Sequence, residues 1–207
     1  DGRLSWTEEE GISYIMYVND EEVSAGKAYN FAGLEPDDYA KVHVVSTRDG
    51  YFSSDKSNEF YVKKLAKVTG VEISTSNKIT YTISFTKVTG ASGYIVRYNG
   101  VEYPLDSATN TLTVIGELAG GDYAITVQAI SSGDEPLIDG TKKYNYVNGD
   151  PSEEKAFTKL SVVTNIAIVN EVLTWTNDST AVVSNYQLQW AAKTDAEPSW
   201  TTRALGD

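Results

Sequence analysis

Residues 83–100 read Ile83-Ser84-Phe85-Thr86-Lys87-Val88-Thr89-Gly90-Ala91-Ser92-Gly93-Tyr94-Ile95-Val96-Arg97-Tyr98-Asn99-Gly100. The second half alternates. Tyr94, Val96 and Tyr98 fall on one face of an extended chain, with Ile95 and Arg97 on the other, and the run stops at the turn pair Asn99-Gly100. The same period returns in Tyr123-Ala124-Ile125-Thr126-Val127-Gln128-Ala129, where Thr126 and Gln128 oppose Tyr123, Ile125, Val127 and Ala129. A two-residue period with one polar face marks antiparallel sheet buried on one side. Asp49-Gly50, Gly120-Gly121 and Asn148-Gly149-Asp150 punctuate the rest, and no stretch longer than ten residues keeps a 3.6 period. With 14 Tyr, 5 Phe and 4 Trp among recurrent Val, Ile and Thr, the composition is that of strands. Short strands and frequent turns predict an all-β sandwich or barrel.

Charge and composition narrow the chemistry. The 207 residues carry 17 Lys+Arg against 29 Asp+Glu, a net charge of −12, with one His and no Cys. The length suits about two small domains. Without Cys there are no disulfides, thiolate nucleophiles or Cys-based metal centres, and one His excludes any site that needs two imidazoles. The acidic balance disfavours nucleic acid and anionic membrane as partners. No apolar run approaches the ~18–20 residues that span a bilayer, so membrane insertion is not expected. No enzyme activity, cofactor or metal is expected.

A repeat organises the chain. Leu4-Ser5-Trp6-Thr7, Ile83-Ser84-Phe85-Thr86 and Leu173-Thr174-Trp175-Thr176 are one pattern, each followed within ten residues by a strand-opening Tyr: Tyr14, Tyr94 and Tyr186. Leu34 precedes Tyr39, and Leu118 precedes Tyr123, by five residues. Lys64-Leu65-Ala66-Lys67-Val68-Thr69-Gly70-Val71 matches Lys159-Leu160-Ser161-Val162-Val163-Thr164-Asn165-Ile166, a spacing of 95 residues from Leu65 to Leu160.

These motifs, spread over essentially the whole chain, resemble tandem fibronectin type III and related bacterial immunoglobulin-like repeats. The resemblance implies antiparallel β-sandwiches in which Trp6, Phe85 and Trp175 are core plugs faced by Tyr14, Tyr94 and Tyr186. It further implies that Tyr39 and Tyr123 are corner tyrosines, which bury the ring and return the hydroxyl to nearby backbone. Gly120-Gly121-Asp122-Tyr123 is similar to bacterial modules rather than animal ones. Residues 65–159 are then one complete domain, with strands near 69–74, 79–85, 93–99, 111–115, 123–131 and 155–158. Residues 1–64 form a partial domain lacking strand A, and residues 160–207 a partial domain holding strands A to C′. Near-absent linkers imply a stiff rod.

Candidate sites are few. His43, in Ala40-Lys41-Val42-His43-Val44-Val45, lacks a nucleophile motif and reads as a packed strand residue. The acidic clusters Glu8-Glu9-Glu10, Asp20-Glu21-Glu22, Asp37-Asp38 and Glu153-Glu154 fall at predicted turns, and none has the spacing of a calcium loop. From the corner tyrosine to the next boundary leucine the first repeat runs 26 residues (Tyr39 to Leu65) and the second 37 (Tyr123 to Leu160). The extra length lies in residues 131–150. Either this is a partner-binding loop carrying Asp134, Asp139, Tyr144, Tyr146 and Asn148, or it is a hairpin with a satellite core of Leu137, Ile138 and Val147. Tyr51 and Phe52 lie at the corresponding end of the first repeat.

The resulting expectation is a structural or adhesive spacer in a larger bacterial cell-surface or secreted protein. Its partners would be neighbouring domains of the same chain and, through loops, a protein or a glycan. A carbohydrate-binding accessory module, with sugar on Tyr144, Tyr146 or Trp200, and a phage tail or virion component are the alternatives.

Overall fold

The computed structural model describes residues 6–23, 29–75, 80–115, 118–132, 137–139, 142–177, 186–190 and 201–205. In chain order the strands are β1 (Ser13–Val18), β2 (Glu21–Val23), β3 (Tyr39–Thr47), β4 (Phe60–Lys64), β5 (Glu72–Thr75), β6 (Thr80–Ser84), β7 (Gly93–Tyr98), β8 (Val101–Asp106) and β9 (Thr111–Ile115). They continue as β10 (Gly121–Ile130), β11 (Leu137–Asp139), β12 (Lys142–Val147), β13 (Lys155–Lys159), β14 (Val163–Val169), β15 (Val172–Asn177), β16 (Tyr186–Trp190) and β17 (Thr201–Leu205). A short 3₁₀ turn, Phe31–Gly33, is the one helical element among the described residues, so none of them lies in a helix long enough to cross a membrane. By compactness the chain divides into two units, residues 1–116 with 124–155, and residues 117–123 with 156–207.

The central strands form two sheets, β5-β6-β9 and β13-β10-β7-β8. All the residue-paired ladders in both are antiparallel. This three-plus-four order is that of an immunoglobulin-like sandwich, with the strands labelled A-B-E and G-F-C-C′ in such folds. The alternation seen in the sequence sets its interior. Tyr94, Val96 and Tyr98 of β7, Ile125, Val127 and Ala129 of β10, and Tyr81 and Ile83 of β6 are buried. Phe85 joins them with its ring centroid 4.7 Å from that of Tyr94. The Tyr94 hydroxyl accepts the Val88 N–H at 2.8 Å, so a buried phenol is not left unsatisfied. The Tyr123 hydroxyl donates to the Ala119 carbonyl at 2.9 Å, the geometry expected of a corner tyrosine, with the ring half-buried against Phe157.

Strand β8 is absent from the sequence-based expectation, because Glu102 and Pro104 interrupt its pattern. It hangs on β7 through the Asn99-Gly100 turn, where φ is 50° and 72°. Asn19-Asp20 (53°, 67°) and Asn170-Glu171 (50°, 66°) close the β1–β2 and β14–β15 hairpins in the same left-handed way. Paired positive φ values suit two-residue hairpin turns, whose twist matches that of the strands.

The N-terminal strands build a sheet ordered β11-β12-β4-β3-β1-β2. One face is a core of Met16, Val18, Phe31, Ala40, Val42 and Val62, with Val23, Tyr29, Leu34 and Val147 packed on it. Three expectations change here. Tyr39 is not a core residue. Ala40 and Val42 take the inner face of β3, which puts Tyr39 outside at 42% exposure. Trp6 is half-buried, 6.0 Å from Tyr14 by ring centroids, and residues 6–9 form no strand. Glu21 and Glu22 stand in the edge strand β2 and not in a turn.

In the second unit, β14 pairs with β15 and β16 with β17. Trp175 meets Tyr186 edge-on at 5.1 Å, the plug-and-tyrosine contact that the repeat implies. Ile166, Ile168, Val169 and Val172 are exposed.

Replacing Phe85 by Ala should cost about 3–5 kcal/mol in chemical denaturation, because the cavity forms in a closed interior. Tyr123→Phe should cost only about 0.5–1.5 kcal/mol, for one hydrogen bond. Equal losses for the two would place Phe85 outside the core.

Candidate functional site: a clasp between two sheets

The extra residues of the second repeat form the β11–β12 hairpin, which is one of the two arrangements the sequence allows. Val147 of this hairpin packs on the core of the preceding strands, and the side chains of Leu137 and Ile138 are not among those described. Strand β12 lies parallel to β4, with Tyr144 opposite Tyr61, Asn145 opposite Val62, Tyr146 opposite Lys63 and Val147 opposite Lys64. Among the residue-paired strands this is the single parallel ladder. Parallel pairing needs a long crossover, and residues 65–141 supply it. A hairpin that leaves the central sandwich thus completes the sheet of the preceding strands.

Side chains on both faces of β12 follow from that register. On the inner face, Val147 packs on the Met16–Val42–Val62 core. On the outer face, Tyr144 is 7% exposed. Its ring stands edge-on to Tyr39 at 5.8 Å and to Tyr61 at 5.9 Å, the Lys63 ammonium lies 5.7 Å from its centroid, and Tyr146 adjoins at 6.4 Å. Edge-to-face rings at these distances add about 0.5–1.5 kcal/mol per pair beyond their buried area. Tyr39, displaced from the core, is here a wall of the Tyr144 site. Tyr146, on the same face, also lies over Gly90, where φ is +87° and a Cβ would come within 2.8 Å of the ring. Gly90 therefore has two reasons to be glycine.

Charge closes the same junction. Lys64, although buried, pairs with Asp150 at 2.8 Å and donates to the Leu34 carbonyl at 2.8 Å. Lys63 pairs with Asp37 at 2.9 Å, and Lys67 with Glu153. Two of the acidic clusters of the sequence are thus partners of junction lysines. Lys67 beside Glu153 holds that carboxyl below the usual range, through a side-chain hydrogen bond. Asp20, in a third cluster, accepts from Lys41 at 2.8 Å and is lowered by that bond. Among the described residues no three His, Asp or Glu side chains gather as metal ligands would.

The remaining candidates are dispersed. Asn148 is exposed and its side-chain oxygen accepts the Ser131 N–H at 2.8 Å, tying the end of β12 back to β10. Asp139 lies in β11, and its side chain is not among those described; Asp134 and Trp200 lie outside the described residues. Tyr51 and Phe52 are exposed at a turn that Tyr51 closes on Arg48, whose guanidinium carbon sits 5.0 Å from the Tyr51 ring centroid. His43 is stacked on Tyr17 at 5.0 Å and 6°. Its Nδ1 is buried, makes no hydrogen bond and lies 4.0 Å from Asp20.

No protein-family model matches the sequence, and no curated protein matches it. Solved structures similar to it are tandem fibronectin type III segments. Two such segments of chicken tenascin share 13% identity over 76% of this chain and 89% of theirs, with a TM-score of 0.37. The FN1–FN3 domains of chicken CNTN1 share 14% over 72% of this chain and 54% of theirs, at 0.35, so the chain spans about half the length of that structure. The central fibronectin-III array of RIM-binding protein shares 15% over 83% and 71%, at 0.32. The strand order and core described above make the chain all-β, with an immunoglobulin-like sandwich in its central strands.

Tyr144→Ala should speed amide hydrogen exchange in β4 at least tenfold and lower stability by about 2–4 kcal/mol, leaving exchange in β7 unchanged. Unchanged exchange in β4 would mean that the hairpin does not hold it. His43→Phe keeps the stack on Tyr17 and removes an unpartnered buried nitrogen, so its melting temperature should equal or exceed that of the parent. A clear fall would show that the Asp20–His43 pair carries stability.

Proposed function

We propose that this chain is a non-catalytic structural spacer of a larger multi-repeat protein, made of successive copies of one sandwich with limits at 1–64, 65–159 and 160–207. The observation that supports this most directly is the clasp. Strand β12 pairs with β4, and its Tyr144 and Val147 side chains pack on the preceding strands. Tyr144 is enclosed by Tyr39, Tyr61 and Tyr146 and does not offer its ring to a sugar. A junction fixed by a strand ladder, an apolar contact at Val147 and buried Lys64 resists bending in a way that a bare linker does not.

On the same reading the segment lies outside a bacterial cell, on its surface or secreted, where a chain without Cys folds with no need of disulfides. A chain with a large net charge of one sign repels its neighbours. The partners of this segment are first of all the domains before and after it in the same chain.

Stiffness is the measurable property. Because the chain has no Cys, nitroxide labels at Glu22→Cys and Ser107→Cys report one distance without background. Double electron–electron resonance should give one narrow distribution, broadened by adding Tyr144→Ala. A broad distribution in the unaltered junction would refute the stiff-spacer reading.

A further inference from the structure

The run that leaves β4 is held down by a second segment that crosses it. Leu65, fully buried, donates its N–H to the Val147 carbonyl at 3.1 Å. Gly149 lies so close that a Cβ there would stand 2.9 Å from the carbonyl oxygens of both Leu65 and Ala66. Gly149 is itself anchored to β10, its N–H donating to the Ala129 carbonyl at 3.0 Å and its carbonyl accepting from Gln128 Nε2 at 2.9 Å. Further along, the Ser152 N–H donates to the Val127 carbonyl at 2.8 Å. Residues 147–152 are thus fastened to β10 on one side and lie over residues 64–66 on the other; Leu65 is buried at the crossing, and Val68 is buried further along the linker.

We propose that residues 147–152 are a strap that retains the linker 65–71 under tension, and that the linker is released as one step before the central sandwich opens. Tension along the chain leaves the N-terminal sheet through the C-terminal end of β4. A linker free in solvent straightens at once, and seven residues extend to at most about 24 Å. Here the linker pays out only when Leu65 and Val68 leave their sites and the strap lifts. Lifting it also loads β12, which runs parallel to β4 and ends at the same junction. Pulling along β4 therefore stresses all four residue pairs of that ladder together instead of peeling them singly. Strand β10 bears load through the strap from the start, whereas β5 and β6, which follow the linker in the chain, are not loaded until it is taut.

The proposal deepens the spacer reading, and the experiments separate the two. The 207-residue chain, with one cysteine added at each end for handles, is stretched in optical tweezers. The unaltered chain should show a first extension of about 1–2 nm, followed by the larger unfolding events. Gly149→Ala, which forces the strap off the Leu65 and Ala66 carbonyls, should move that first step to lower force and leave the later events in place. Tyr144→Ala, which keeps the crossing but weakens the ladder, should do the same. Absence of the first step, or a step at the same force in both variants, overturns the strap. A narrow label distance together with no step leaves the stiff spacer standing without the strap, whereas a broad label distance removes the spacer itself.

Discussion

The structure turns on one strand pairing that sequence neighbours do not make. Strand β12 runs beside β4, about 80 residues away along the chain, and every other feature of the junction depends on that register. A shift of one residue would send Val147 to the outer face and Tyr144 into the Met16–Val42 core. The four tyrosines, the ion pair of buried Lys64 with Asp150 and the two close glycines all fit one register only. Non-local ladders of this kind are costly to close, since loop entropy is lost before the pairs form. Tyr144 and Val147 supply compensating burial on opposite faces of the same strand.

Much of the sandwich was legible because its signal is local. Alternation along residues 94–98 and 123–129 fixes which side chains face inward, and the structure buries Tyr94, Val96, Tyr98, Ile125, Val127 and Ala129 as that alternation requires. The plug-and-tyrosine repeat likewise gives real contacts at Phe85–Tyr94 and Trp175–Tyr186. Where the pattern is two-sided it misleads. Strand β3 carries apolar residues in both phases, Tyr39 and Val45 in one and Ala40, Val42 and Val44 in the other, and only packing chooses between them. That choice turned Tyr39 from an expected corner tyrosine into a wall of the clasp.

The clasp itself was half legible. The length difference between the repeats pointed to residues 131–150, and the alternation of Tyr144 with Tyr146 to a strand. Nothing in that segment says whether its apolar face closes on itself or on a neighbour, because the burial signal is the same. The partner strand gives no sign either, since Tyr61 and Lys63 suit a solvent-facing side equally well. Lys64 was a clearer clue: a lysine in phase with Val62 on the inner face needs an anion, and Asp150 is at hand.

The remaining edges of these sheets are treated differently from β4. Strand β2 is three residues long with Glu21 and Glu22, and β8 has Pro104, which has no N–H to offer. Open strand borders trade partners between chains when they are exposed during folding. Carboxylates and an imino acid make two of those borders poor docks. Strand β4 is guarded by another route: its border is already taken by β12 of the same chain, so an incoming strand finds no free row of backbone groups there.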